Sequence, residues 1–138
     1  MSQNQTPEFS RIIDIASDVL NKKTEIVANQ DELKKLAERF GLHEISDLKL
    51  EYIVAPKEDI QEALILSGRL LANVTKFIIN EFEEKSQIDE KFDVILIEER
   101  LVQENLEQIK DCDIEIIDDN IVDIGEIASQ YLSLCVYM

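Results

Sequence analysis

The sequence predicts an α+β fold, an antiparallel sheet of long strands with two capped helices packed against it. Three observations lead there. The stretches Glu62 to Ile79 and Ile88 to Leu96 place apolar side chains at every second position, the spacing of half-buried strands. The stretch from Asn29 to Gly41 and the stretch from Asp123 onward open on capping residues and then carry apolar residues at helical spacing. Only three glycines and two prolines occur in 138 residues, which argues against a loop-rich or repetitive architecture.

Residues 1–7 are polar and are expected to fray, ahead of a single domain over residues 8–138. Glu8 to Ile15 is isoleucine-rich and reads as a first strand. Thr24 to Ala28 reads as a short second strand pairing with it across Asn21, Lys22 and Lys23. Asn29 then opens a helix, with Glu32 at the capping-box position and Gly41 as its C-cap. Leu33, Leu36, Ala37 and Phe40 form its buried face. His43 lies just past this helix, where an imidazole suits the C-terminal end of the dipole. Leu48, Leu50, Tyr52 and Val54 alternate up to Pro56. Leu64, Leu66, Leu70, Ala72 and Val74 share one parity, and Gly68 interrupts that row, a sign of a bulge or bend. Ile88, Phe92, Val94 and Leu96 alternate with Asp89, Lys91 and Asp93. The last two strands therefore form a hairpin, apolar on one face and charged on the other, closed by the turn Asn80 to Glu84. Arg100 to Lys110 is either a short helix or a mobile acidic insertion. Asp113 to Ile117 is a small strand, and the acidic turn Asp118-Asp119-Asn120 leads to the last helix. There Asp123 caps the first turn, Glu126 reaches back to it, and Ile124, Ile127, Ala128, Tyr131, Leu134 and Cys135 share a face.

The net charge of −16 is uneven: from Leu101 on, nine carboxylates face one lysine, Lys110. Nucleic-acid affinity comes mostly from Lys and Arg on phosphates, so this field opposes tight binding to naked RNA or DNA and to anionic membranes. Acidity also serves solubility. Its functional reading is an interaction surface over Asp111, Asp113, Glu115, Asp118 and Asp119, suited to a basic protein. These acids lack the order of a calcium loop. Cys112, Cys135 and His43 cannot make up a zinc set. No metal or cofactor is therefore expected. No glycine-rich phosphate loop and no nucleophile–base pair is legible, so an enzyme is not expected either. The first residues lack a basic and apolar leader, and apolar runs such as Val94 to Ile97 are too short for a bilayer, which points to the cytoplasm. The rival reading is an RNA-binding module, in which a helix packed beside the first hairpin gathers Lys22, Lys23, Lys34, Lys35 and Arg39 on one side. Acids intersperse these residues, and the eight aromatics fall mostly at apolar-face positions.

Several segments, in order, resemble the YceD-like large-ribosomal-RNA accumulation family, closest to its alphaproteobacterial forms. They are Glu8-Phe-Ser-Arg11, Leu36-Ala-Glu-Arg-Phe-Gly-Leu42 with Ile45 and Leu48, Ser67-Gly-Arg-Leu-Leu-Ala-Asn-Val74, Ile88-Asp-Glu-Lys-Phe92 and Asp123-Ile-Gly-Glu126. On this resemblance Gly68, Ala72, Val74, Asp123, Gly125 and Glu126 are the family-signature positions, structural or partner-binding. The resemblance implies a non-enzymatic ribosome biogenesis factor supporting accumulation of 23S ribosomal RNA. Its partner would be a basic ribosomal protein or a large-subunit precursor. Many members carry a cysteine near the end of the central strand and another in the turn, where this chain has Ile78 and Glu81. Relatives often run on into a proline-bearing tail, whereas this sequence ends at Tyr137-Met138.

Overall fold

The computed structural model describes residues 7–15, 20–77 and 83–136. In chain order, β1 (Ile12–Asp14) and β2 (Thr24–Val27) precede helix α1 (Gln30–Phe40). The long strands β3 (Glu44–Pro56), β4 (Leu64–Phe77) and β5 (Glu83–Glu98) follow. Then come α2 (Glu99–Val102), a 3-10 turn (Gln103–Asn105), α3 (Leu106–Ile109), β6 (Ile114–Ile117), β7 (Ile121–Asp123) and α4 (Ile124–Val136). The α+β class holds, with a five-stranded sheet ordered β2-β3-β4-β5-β6. Among the described residues no helix is long and apolar enough to cross a membrane. The frayed start expected for residues 1–7 falls, Pro7 apart, outside the described residues, as do Ile78, Glu81, Tyr137 and Met138.

Period-two patterning sets the register. Leu48 lies opposite Ala72, Leu50 opposite Leu70 and Val54 opposite Leu66, all buried on one face of the sheet. Helix α1 covers that face with Leu33, Leu36, Ala37 and Phe40, and α4 joins the same core with Ile124, Ile127, Ala128, Leu132 and Val136. Burying each leucine or isoleucine there stabilises the fold by about 1.5–3 kcal/mol. Local chemistry starts and stops α1 as the sequence predicts. The Asn29 side chain accepts from the Glu32 amide at 2.9 Å and the Glu32 carboxylate accepts from the Asn29 amide at 2.9 Å. Gly41, at φ 66°, closes the helix in the left-handed conformation.

Four expectations are corrected. First, β1 does not pair with β2. It spans three residues and forms a separate antiparallel ribbon with β7, while β2 pairs with β3. The Ile15 amide donates to the Asn120 carbonyl and the Ile124 amide to the Arg11 carbonyl, closing the ribbon at both ends. Second, Gly68 is not a bulge, because both ladders run through it in unbroken register. It makes room for Phe92, directly opposite on β5: a Cβ at Gly68 would stand 2.8 Å from the Phe92 Cζ. The register shift lies instead between Ile45 and Asp47, which keeps both Ile45 and Leu48 in the core.

Third, the sheet is not antiparallel throughout: β6 pairs with β5 in parallel, and Glu99 to Ile109, helical as one of the two expected alternatives has it, crosses between them in short segments. These segments lie on the far face of the sheet, where Leu101 and Ile109 join Ile60, Ala63, Ile95 and Ile97 in a second buried cluster. That cover explains why Val94 to Ile97 is continuously apolar: this part of β5 is buried on both faces. Fourth, the buried face of α4 runs through Leu132 and Val136, with Leu134 59% exposed. Tyr131 and Cys135 sit at the edge of the core. His43 lies just past α1 as expected, with its Nε2 3.0 Å from a Glu83 carboxylate oxygen at the start of β5.

Candidate functional site

Asp123, Gly125 and Glu126, at the start of α4, meet the segment from Glu8 to Arg11 in one clamp. Asp123 accepts three hydrogen bonds: from the Ser10 hydroxyl at 2.7 Å, the Arg11 amide at 2.8 Å and the Glu126 amide at 3.1 Å. The last is the N-cap the sequence predicts for α4. Gly125 is buried against the Phe9 carbonyl, and a Cβ there would stand 1.6 Å from that oxygen. Glu126 grips Arg39 of α1 with both oxygens, at 2.9 and 3.0 Å, in place of the backward reach expected of it. The same guanidinium reaches Glu8 at 3.0 Å. Arg11 in turn binds both oxygens of Glu32, at 2.6 and 2.7 Å. Glu8-Phe-Ser-Arg11 and Asp123-Ile-Gly-Glu126 thus interlock through α1.

These contacts dominate the electrostatics of the clamp. The Arg11 hydrogen bond holds the Glu32 carboxyl below its ordinary value of 4.5, and the Asn29 amide helps. A depressed carboxyl contributes stability that is present above its unfolded value and lost as pH falls through the lower, folded one. On acidification below about pH 4.5, Glu32→Gln should therefore lose stability with a shallower slope than the parent chain. Urea midpoints measured at stepped pH check this. Parallel slopes would show that the pair adds no pH-dependent stability.

A stack of aromatic rings joins α4 to the sheet. Phe92 lies 4.0 Å from Tyr131, centroid to centroid, with the planes 13° apart. The Tyr131 hydroxyl donates to Asp113, just before β6. Burial, that hydrogen bond and the charges of Asp113, Asp93 and Glu115 all push the Tyr131 phenol upward. Burial and the charges of Glu126 and Asp123 push the Glu115 carboxyl up. The flank of α4 and β6 is therefore a region of concentrated negative potential.

The predicted acidic residues fall around that flank. Asp111, Asp113, Asp118 and Asp119 are exposed and Glu115 is half-buried. Asp119 and Asn120 also have local work to do, since both take left-handed φ angles, 53° and 64°, in the turn between β6 and β7. Of the nine carboxylates after Leu101, Glu107 meets Lys110 and Glu126 meets Arg39. Among the described residues no cation pairs with the other seven. Over the rest of the chain, Glu8, Glu25, Asp31, Glu32, Glu51 and Asp89 do have cationic partners.

The basic residues of the rival reading are not gathered into one strip. Lys22 and Lys23 are exposed ahead of β2. Lys23 borders a shallow depression on the open face of the sheet with Glu51, Ser67, Arg69 and Lys91. Lys34 borders a different hollow, beside Glu38 and His43. Lys35 pairs with Asp31 and Arg39 is held in the clamp. Among the described residues no group of three or more His, Cys, Asp or Glu is arranged to hold a metal ion. Ala72 and Val74 are core residues of β4. The sequence reading missed Ser10, Arg11 and Tyr131 as organising side chains. The polar Ser10-Arg11 pair interrupting an apolar first strand was the available signal. No family model, curated protein or solved structure matches the chain.

Proposed function

We propose that this chain is a non-enzymatic assembly factor for the large ribosomal subunit. It works in the cytoplasm and supports accumulation of 23S ribosomal RNA by presenting its acidic flank to a basic ribosomal protein or a precursor particle. One observation carries the reading: of the seven acids from Glu104 to Asp119 only Glu107 has a cationic partner among the described residues, whereas ten of the nineteen described acids before Leu101 have one. An unneutralised surface of one sign steers and selects partners of the other sign. The resemblance to the YceD-like family supplies the ribosomal context, and two of the segments that carry it meet in the clamp that seats α4 beside the flank.

The test is binding of the purified protein to large-subunit precursors and to their basic proteins at two salt concentrations. Affinity should fall on the order of tenfold between about 50 and about 200 mM salt. Asp111→Lys with Asp118→Lys should weaken it to a similar degree, and naked ribosomal RNA should bind poorly. Salt-independent binding, or tight binding to naked RNA, would overturn the proposal.

A further inference from the structure

We propose that the free edge of β6 docks an extended segment of a partner protein in which basic and apolar residues alternate. The inference rests on the acidic-flank reading above and specifies how that flank holds its partner. β6 is the last strand of the five-stranded sheet. Ile114 lies opposite Ile95 and Ile116 opposite Ile97, and the Asp113 carbonyl accepts from the Ile95 amide at 2.9 Å. In a parallel ladder this register directs the N–H and C=O groups of Ile114 and Ile116 away from β5. Among the described residues no backbone group meets them.

The side chains of the strand sort by parity. Ile114 and Ile116, 38% and 46% exposed, point to the side of the sheet covered by α3, where Leu106 is 49% exposed. Asp113 and Glu115 point to the other side, toward Tyr131 and the start of α4. Folded proteins usually guard an edge with lysine, proline or a bulge, and this one offers β-branched side chains beside unpaired backbone. An added strand meets pockets for alternate side chains while its backbone completes the ladder. Apolar residues at every second position would cover Ile114 and Ile116, and lysine or arginine at the positions between would face Asp113 and Glu115. A second copy of this chain does not fit. Two β6 strands side by side would bring like charges together in a protein of net charge −16.

The probe is the labelled peptide Arg-Val-Lys-Ile-Arg-Val-Lys, compared with its block isomer Arg-Lys-Arg-Lys-Val-Ile-Val. The two have the same charge, so only alternation separates them. At one salt concentration the alternating peptide should bind about tenfold tighter, the effect of one or two extra backbone hydrogen bonds. It should also slow amide exchange at Ile114 and Ile116. Ile116→Pro removes an outward N–H and leaves the β5 ladder intact, so it should abolish the preference. Ile116→Lys, a milder change, should abolish it as well. Equal affinity for the two peptides, or a preference that survives both variants, overturns the docking edge. So does self-association that Ile116→Pro removes. If both peptides bind equally and in a salt-sensitive way, the edge fails and the acidic-flank reading stands. If neither binds in a salt-sensitive way, both fail.

Discussion

Gly125→Ala is expected to destabilise the protein by more than about 3 kcal/mol, a loss that urea unfolding reads directly. The sign runs against helix propensity. Exchanging glycine for alanine inside a helix ordinarily gains about 1 kcal/mol. Here the added methyl would sit 1.6 Å from the Phe9 carbonyl oxygen, 2.8 Å from its carbon and 3.0 Å from the Arg11 nitrogen. All three neighbours are backbone, so no side-chain rotation relieves the clash. Either α4 lifts from the core, or the segment from Glu8 to Arg11 leaves it. The first route exposes Ile124 and Ala128, the second Phe9, and all three are fully buried. Removing a buried phenylalanine from a core costs about 3–5 kcal/mol. A variant as stable as the parent would show that the contact between Phe9 and α4 does not exist in solution.

The parts of this fold that were legible in the sequence are those whose determinants lie within a few residues of one another. Helix α1 is capped by Asn29, Glu32 and Gly41, all local, and it forms where they direct. The long strands β4 and β5 carry their own alternation. The apolar run Val94 to Ile97 broke that alternation, and its cause was distant: a helical crossover buries the second face of the strand. Pairing of β1 was misread because three-residue strands hold almost no register information, and closure with β7 is decided by contacts over 100 residues away in sequence. In α4 both Leu132 and Leu134 are leucine, and only the packing partner selects which of them is buried. The acidic surface was visible as composition. Which of its acids lack cations, and that β6 is an open edge, follow from topology and from where Lys110 and Arg39 are spent.

Asp123→Ala should cost about 3 kcal/mol, second only to the glycine replacement. The carboxylate serves three donors. Loss of an N-cap alone costs about 1 kcal/mol, and each part-buried donor left without its acceptor adds about 1 kcal/mol or more. Those donors are the Ser10 hydroxyl and the Arg11 amide, so the effect reaches from the start of α4 to the start of the chain. Asp123→Asn separates acceptor position from charge. Its remaining oxygen can take the Arg11 and Glu126 amides that now share Oδ1, and its amide can donate to Ser10. It should lose less than about 1 kcal/mol, because asparagine caps helices as well as aspartate does. A double-mutant cycle closes the argument. Ser10→Ala should cost about 1 kcal/mol in the parent and almost nothing once Asp123 is alanine, because the two groups form one interaction. Additive losses would mean that Ser10 and Asp123 act separately, and that the β1–β7 ribbon and the packing of Phe9 on Gly125 join the two segments without the Ser10 hydroxyl.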